Sequence, residues 1–316
     1  MRAGKYRFVC RFESETTLPA FKGSTLRGSL GHALKRICCA LRQQQCGSCL
    51  LSETCAYAFL FEVKPNRRPE NEFRPATAAH RPHPYVLVPP DDNKRVYNAG
   101  DPFSFEIILF GPADQYLPHI VFAVQEMGKA GLGKASRQGD GRFRLDTVHH
   151  ADEIIYDGVS LKTDIPPTVF SIKTSPPLGA VEKIVLKCET PLRLKYDNNL
   201  SEELPFHLII RAALRRVATL ENAYGDGEPT LDYKGLAKRA CDVCIASSSC
   251  HWVDIERYSN RQKTAMMMGG VQGSITFAGE NLNEFLPLLR YCEFTHIGKQ
   301  TSFGLGRISI ETGTLA

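Results

Sequence analysis

The feature that most constrains this chain is an internal repeat. The stretch LGKASRQGDGRFRLD at 132–146 aligns without gaps on IGKQTSFGLGRISIE at 297–311. Gly133, Lys134, Gly139, Gly141 and Arg142 fall on Gly298, Lys299, Gly304, Gly306 and Arg307. A second match sets Arg27 and Leu30 against Arg211 and Leu214. A third is a cysteine spacing: Cys46, Cys49 and Cys55 recur as Cys241, Cys244 and Cys250. Three matches in one order describe a single unit used twice. A chain of 316 residues holds two units of ordinary domain size.

Hydrophobic periodicity gives each unit the same element order. In the first half, 5–12 alternates as a strand and 24–44 repeats Leu26, Leu30, Ala33, Leu34, Ile37 and Leu41 at helical spacing, with Ser24 as its expected N-cap. Strands are expected at 84–89, 102–110 and 142–148, and a helix at 116–127. In the second half, strands are expected at 182–189 and 307–311 and helices at 205–221 and 281–292. A hairpin of 260–268 with 271–277 is expected around Gly269 and Gly270. The order β-α-β-β-α-β, twice, defines an α+β fold of tandem ferredoxin-like (RRM-like) domains. The expected domains are 1–150 and 181–316, joined by a Pro-, Ser- and Thr-rich connection at 151–180.

Charge adds a weaker constraint. Lys and Arg number 39 against 34 Asp and Glu, a net charge of +5 that permits a polyanionic partner without demanding one. No stretch approaches the ~20 apolar residues of a membrane span, and no apolar segment follows the charged start, so a cytoplasmic protein is expected. In that compartment eleven cysteines read as thiols or metal ligands rather than disulfides.

Two motifs carry chemistry. The Gly-rich loop 298–306, GKQTSFGLG, lies between an expected helix and an expected strand. Gly298, Gly304 and Gly306 permit positive φ and close approach to a ligand, and successive N–H groups can cradle phosphate. Lys299 adds a cation there, and Phe303 offers a face for a base. The cysteine triplets Cys46, Cys49, Cys55 and Cys241, Cys244, Cys250 each supply three thiolates, where a zinc site or a [4Fe–4S] cluster takes four. Cys38 or Cys39 would complete the first and His251 the second. Zinc, an iron–sulfur cluster and no metal at all stay open at this point.

The loop Gly298-x5-Gly304-Leu305-Gly306 after a tandem ferredoxin-like arrangement resembles the signature loop of the CRISPR-associated repeat-cleaving endoribonucleases of the RAMP superfamily. The stretches LPAFKGSTLRGSLGHALKR at 18–36, CGSCLLSETCAYAFLFE at 46–62, RPHPYVL at 81–87 and YSNRQKTAMMMGG at 258–270 fit the same family. One departure is His296, which stands where many members have the first glycine of the loop. The resemblance implies metal-independent cleavage of CRISPR repeats in precursor CRISPR RNA. In that chemistry the ribose 2′-OH attacks the adjacent phosphorus and leaves a 2′,3′-cyclic phosphate and a 5′-OH. No catalytic cofactor is implied, and other CRISPR effector proteins are possible partners. The alternative is a non-catalytic RNA-binding subunit of a CRISPR effector complex.

This chemistry needs a base, an acid and cations for the phosphorane. His32, on the first helix where relatives often place a catalytic residue, is the first candidate, because an imidazole exchanges protons near neutral pH. Lys35 and Arg36, at i+3 and i+4, are its expected companions. His296 is a second candidate. Lys22, Arg27, Arg211 and Arg261 are expected to grip RNA phosphates with the loop's Gly298, Lys299, Gly304 and Gly306. His83 is expected to be a structural loop residue, and His119 and His207 packing residues.

Overall fold

The computed structural model describes residues 1–63, 81–133, 136, 139–162, 168–169, 180–196, 199–200, 203–259 and 264–313. The chain folds as two compact units, Met1–Val169 with Ala223–Gly225, and Phe170–Asn222 with Asp226–Ala316.

The first unit is built on β1 (Arg2–Phe12), where Tyr6, Phe8, Cys10 and Phe12 alternate into the core. α1 (Gly23–Cys38) follows, then α2 (Ala56–Phe61), β2 (Tyr85–Val88), β3 (Pro102–Phe110), α3 (Leu117–Ala130), β4 (Phe143–His150) and β5 (Glu153–Tyr156). The sheet runs β2-β3-β1-β4-β5 and every pair is antiparallel. With β5 set aside, this is the ferredoxin-like order 4-1-3-2. α1 buries Leu26, Leu30, Ala33 and Leu34, the stripe that a 3.6-residue period places on one side. Phe8 stacks on its register partner Phe105 at 5.2 Å between centroids. Each such buried Phe contributes ~1.5–3 kcal/mol.

The second unit repeats the plan. It has β6 (Lys183–Leu192), α4 (Phe206–Tyr224), α5 (Tyr233–Arg239), β7 (Cys244–Ser248), β8 (His251–Val253), β9 (Glu256–Ser259), β10 (Thr264–Met267), β11 (Gly270–Ala278), α6 (Leu286–Thr295) and β12 (Ile308–Gly313). Its sheet runs β7-β11-β6-β12, with β8 also on β11. Phe206 of α4 meets Phe277 of β11 at 4.9 Å and Phe285 at 5.0 Å.

Four expectations need correction. The helix expected over 24–44 ends at Cys38, and Cys39 is already extended, because none of residues 39–55 is buried to extend the apolar stripe. Its N-cap position is Lys22 rather than Ser24, with no side-chain cap. Among the described residues the hairpin of 260–268 with 271–277 does not form; residues 260–263 of it lie outside them. β10 pairs with β9, while β11 takes β7 and β8, so the cysteine segment supplies the sheet's edge. The Gly269–Gly270 break explains this: a Cβ on Gly269 would meet the Trp252 ring at 2.7 Å and one on Gly270 the Leu192 carbonyl at 2.9 Å. The chain crosses there instead of turning. β5 lies inside the segment expected as a connection and belongs to the first sheet.

Candidate RNA-binding site

Among the described residues, the glycines of the repeated segment take the same backbone conformation in both copies. Gly133, Gly139 and Gly141 have φ of 90°, 87° and 71°, and Gly298, Gly304 and Gly306 have 87°, 92° and 71°. Leu132 N–H donates to Gly141 O at 2.8 Å, as Ile297 N–H does to Gly306 O at 2.9 Å. A Cβ at Gly306 would fall 1.8 Å from the Ile297 carbonyl, so only glycine closes this turn. The Thr190 hydroxyl donates to Gly304 O at 2.9 Å and ties the turn to β6.

Much of the loop is interior. Residues 301–306 are buried, and Phe303 is 8% exposed beneath the Arg257 guanidinium, 4.4 Å from its ring centroid. Phe303 therefore packs under a cation and does not present an open face to a base. His296 is also buried; its Nδ1 lies 3.2 Å from Leu305 O, and Arg216 donates to the His296 and Thr295 carbonyls at 3.1 and 2.6 Å. These contacts give it a structural place.

What the loop presents outward is Lys299, which is exposed. Burial pushes its ammonium down from the ordinary value, and Lys195, Arg193 and Arg215 push it the same way. Four cations thus gather where the loop's backbone meets the chain after β6; Lys299 N–H donates to Arg193 O at 3.1 Å. Such a group attracts phosphate by charge. The sequence alone offers Arg215 as a phosphate grip, but not Arg193 or Lys195. Their signal, basic residues at 193, 195 and 215, is in the sequence, but their convergence on Lys299 is tertiary. Arg211 is exposed one turn before Arg215 on α4. Arg261 lies outside the described residues.

On the first unit, Gly28, His32 and Arg36 form an exposed stripe on α1, four residues apart. A Cβ at Gly28 would meet nothing within 4 Å. His32 makes no hydrogen bond or ion pair among the described residues. Its expected companions are engaged elsewhere: Arg36 pairs with Glu126 of α3 at 2.6 Å, and the Lys35 ammonium stands 5.3 Å from the Tyr57 ring centroid. The structure therefore leaves His32 as the unengaged member of the expected trio.

Two of the expected phosphate grips face inward. Lys22 is 1% exposed, with its Nζ 2.7 Å from Asp92 Oδ1 and 3.0 Å from Asp92 O. It is a buried structural cation, and this corrects its assignment to RNA. Arg27 is half-buried, 3.3 Å from His83 Nε2 and 5.2 Å from the Phe61 ring centroid. His83 in turn bonds Leu60 O at 3.1 Å, so the pair joins α1 to α2 and to β2. His119 is exposed rather than a packing residue.

The two cysteine triplets differ. Cys38, Cys39, Cys46, Cys49 and Cys55 all line one small cavity. Cys241 and Cys244 are exposed, bonding only Ala237 O and Asp242 O, and Cys250 instead meets Cys188 of β6. Among the described residues, no three His, Cys, Asp or Glu side chains already stand together at metal-coordinating distance. No helix among the described residues is long and apolar enough to cross a membrane.

A doubled 4-1-3-2 α+β fold with a glycine-rich turn and cations beside it is the architecture of RAMP-type RNA-binding proteins. Residues 1–166 match the AF_1859_N family model, an N-terminal domain, and residues 186–308 match the CRISPR-associated endoribonuclease Cas6. The chain belongs to the AF_1859_N family, and its C-terminal half is similar to the CRISPR-associated endoribonuclease Cas6. It is 27% identical over 301 residues to an uncharacterised protein of Archaeoglobus fulgidus, covering 93% of each. A solved Thermus thermophilus Cas6 is similar over 98% of this chain and 98% of its own, at 13% identity and a TM-score of 0.56. The chain also resembles part of a Cas6-RT-Cas1–Cas2 complex at 11% identity and a TM-score of 0.58, covering 99% of itself but 46% of that longer chain. These structural likenesses show the fold.

Proposed function

We propose that this protein cleaves CRISPR repeats within precursor CRISPR RNA. The match of residues 186–308 to the Cas6 endoribonuclease carries the reading. The cations around Lys299 support it, since they offer a phosphate-binding surface beside the loop. A solved Cas6 of the same fold, similar at 15% identity and a TM-score of 0.57, is a product complex.

The reaction in this reading is metal-independent. The 2′-OH attacks the adjacent phosphorus, its proton passes to a base, and an acid protonates the departing 5′-oxygen. The products carry a 2′,3′-cyclic phosphate and a 5′-OH. His32 serves as the proton-transfer group, and Lys299, Arg193, Lys195, Arg215 and Arg211 hold phosphates. In this reading Lys35 and Arg36 support the α1 face rather than clamp the phosphate, because each already has a protein neighbour. The protein works on RNA in the cytoplasm, with other CRISPR proteins as possible partners.

The test is incubation of the pure protein in EDTA with the repeat RNA of its own CRISPR array. A matched RNA carries a single 2′-deoxy substitution at the cut site. A single cut, lost in the 2′-deoxy RNA, is the expected result. Tight binding with the RNA left whole would replace this reading with that of a non-catalytic RNA-binding subunit.

A further inference from the structure

We infer that the first unit holds one zinc ion in a four-thiolate site made by Cys38, Cys46, Cys49 and Cys55. The observation behind this is convergence. Four thiols spread along eighteen positions of the sequence, together with Cys39, line a single cavity of about 20 Å³. Cysteines placed without a common task would not be expected to share one wall.

The lining chemistry favours a soft metal over water. Besides the sulfurs, the cavity is walled by Ala40, Leu41, Leu51 and Ala58; Gln44, Ser52 and Tyr57 also line it but turn little polar surface inward. A water molecule needs two to four polar partners, and this wall is poor in them. Thiolate sulfur, by contrast, is the preferred donor for zinc.

The surrounding chain has a need that a metal would meet. None of residues 39–55 is buried, and Leu50 is 86% exposed. Regular structure there is limited to the short 3-10 turn Cys46–Ser48. A segment of this length with no apolar core of its own is the kind that structural zinc organises, with ligand binding supplying the folding free energy. The thiols line one cavity but do not yet stand at coordinating distance, so zinc draws them together by ordering this segment.

Cys38 is assigned as the fourth ligand rather than Cys39 because the Tyr57 backbone N–H bonds its sulfur. An N–H directed at a ligating sulfur is the outer-shell contact that fixes metal ligands. Four thiolates around a divalent cation leave net negative charge, and Lys35 lies close enough to Cys46 to offset part of it. The second triplet provides a control within the same chain. Its spacing is identical, yet Cys241 and Cys244 are exposed and Cys250 is directed to Cys188. The shared spacing alone therefore does not make a site.

The experiment is cobalt substitution in the full chain, reduced and stripped of metal, with cobalt(II) as the probe. The expected result is one cobalt bound per chain. It shows sulfur-to-cobalt charge-transfer bands and the intense visible bands of a tetrahedral thiolate site, all bleached by added zinc. Cys46→Ser with Cys49→Ser abolishes these bands, and Cys241→Ser with Cys244→Ser leaves them. Circular dichroism of the Cys46→Ser/Cys49→Ser protein should retain the wild-type helix signal, since both residues lie outside the core. No cobalt bands in the wild-type protein, or bands that survive Cys46→Ser/Cys49→Ser, overturn the proposal. Bands abolished by Cys39→Ser but kept with Cys38→Ser overturn the ligand set. The readout is independent of RNA cleavage, so its failure and the failure of the nuclease reading are separable.

Discussion

His296 stands in the second unit where Gly131 stands in the first, with φ 57° and ψ 160° against φ 81° and ψ 157°. Both follow the last helix of their unit, α3 and α6, and precede the glycine-rich turn by the same spacing. This corner of backbone space is essentially reserved for glycine, and a side chain there costs on the order of 1–3 kcal/mol. The imidazole offsets that cost through Leu305 O, while Arg216 fastens the adjoining carbonyls.

The two contributions separate by substitution. His296→Ala keeps the strain and discards the imidazole contacts, whereas His296→Gly discards both. His296→Ala is therefore expected to be less stable than His296→Gly by about 1 kcal/mol or more. Urea unfolding of the two proteins measures the difference. An alanine variant at least as stable as the glycine variant would show that the backbone carries no strain here.

The element order was readable because it rests on local periodicity: β1 alternates and α1 keeps Leu26, Leu30 and Leu34 on one face. The turn was readable because its glycines recur at one spacing. Lys22 was not readable. In sequence it is a cation just before a helix, and its partner Asp92 lies 70 positions away. The pairing of β11 with β7 and β8 was missed for a similar reason. Two apolar runs flanking Gly269–Gly270 look like a hairpin locally, and only the close approach of Gly269 to Trp252 shows the chain crossing. The cation cluster around Lys299 joins β6's exit, α4 and the loop, and no local pattern announces such a meeting.

Lys22 and Asp92 give an asymmetric prediction. Lys22 is buried, while the Asp92 side chain is 47% exposed. Asp92→Ala leaves the buried ammonium with backbone carbonyls alone and is expected to cost about 1–3 kcal/mol. Thermal unfolding reads this loss. RNA affinity is expected to hold in the folded variant, because Lys22 does not face solvent. A selective loss of RNA binding with unchanged stability would return Lys22 to the RNA surface.

The cations beside the loop predict salt-dependent binding. Lys299→Ala and Arg215→Ala are expected to weaken binding to all single-stranded RNA sequences alike. Each should lower the slope of log affinity against log salt by about 0.7 for every phosphate the variant no longer neutralises. Filter binding over a range of salt concentrations measures the slope. Wild-type slopes in both variants would remove these residues from the phosphate path.

Cys188 and Cys250 predict a pH dependence of stability. The hydrogen bond from the Cys188 thiol is the largest influence on Cys250 and pulls it down from 9.0 to about 7. A lowered acid contributes stability that is fully present above its unfolded value and is lost as pH falls through the folded one. The stability difference between wild type and Cys188→Ala should therefore grow between about pH 7 and 9. Below that window only the constant cost of removing the sulfur remains. Denaturant unfolding across this range, under reducing conditions, tests it; a difference that is flat with pH would remove the thiol–thiolate bond.

His32 carries the last prediction, because it is exposed and unengaged while Lys35 and Arg36 are not. A proton-transfer group contributes typically ~10²–10⁴-fold to rate. His32→Ala is expected to lower single-turnover cleavage of the repeat by a factor in that range. Repeat-RNA affinity and thermal stability should stay near wild type, since the side chain is exposed and makes no hydrogen bond or ion pair among the described residues. His32→Gln, which fills the space without exchanging protons, is expected to be as slow as His32→Ala. Arg36→Ala should act differently, losing the Glu126 ion pair and a few tenths of a kcal/mol of stability at this exposed site, with little change in rate. Full cleavage by His32→Ala would move the proton transfer to another residue, and comparable losses in His32→Ala and Arg36→Ala would mark the whole α1 face as an RNA-positioning surface.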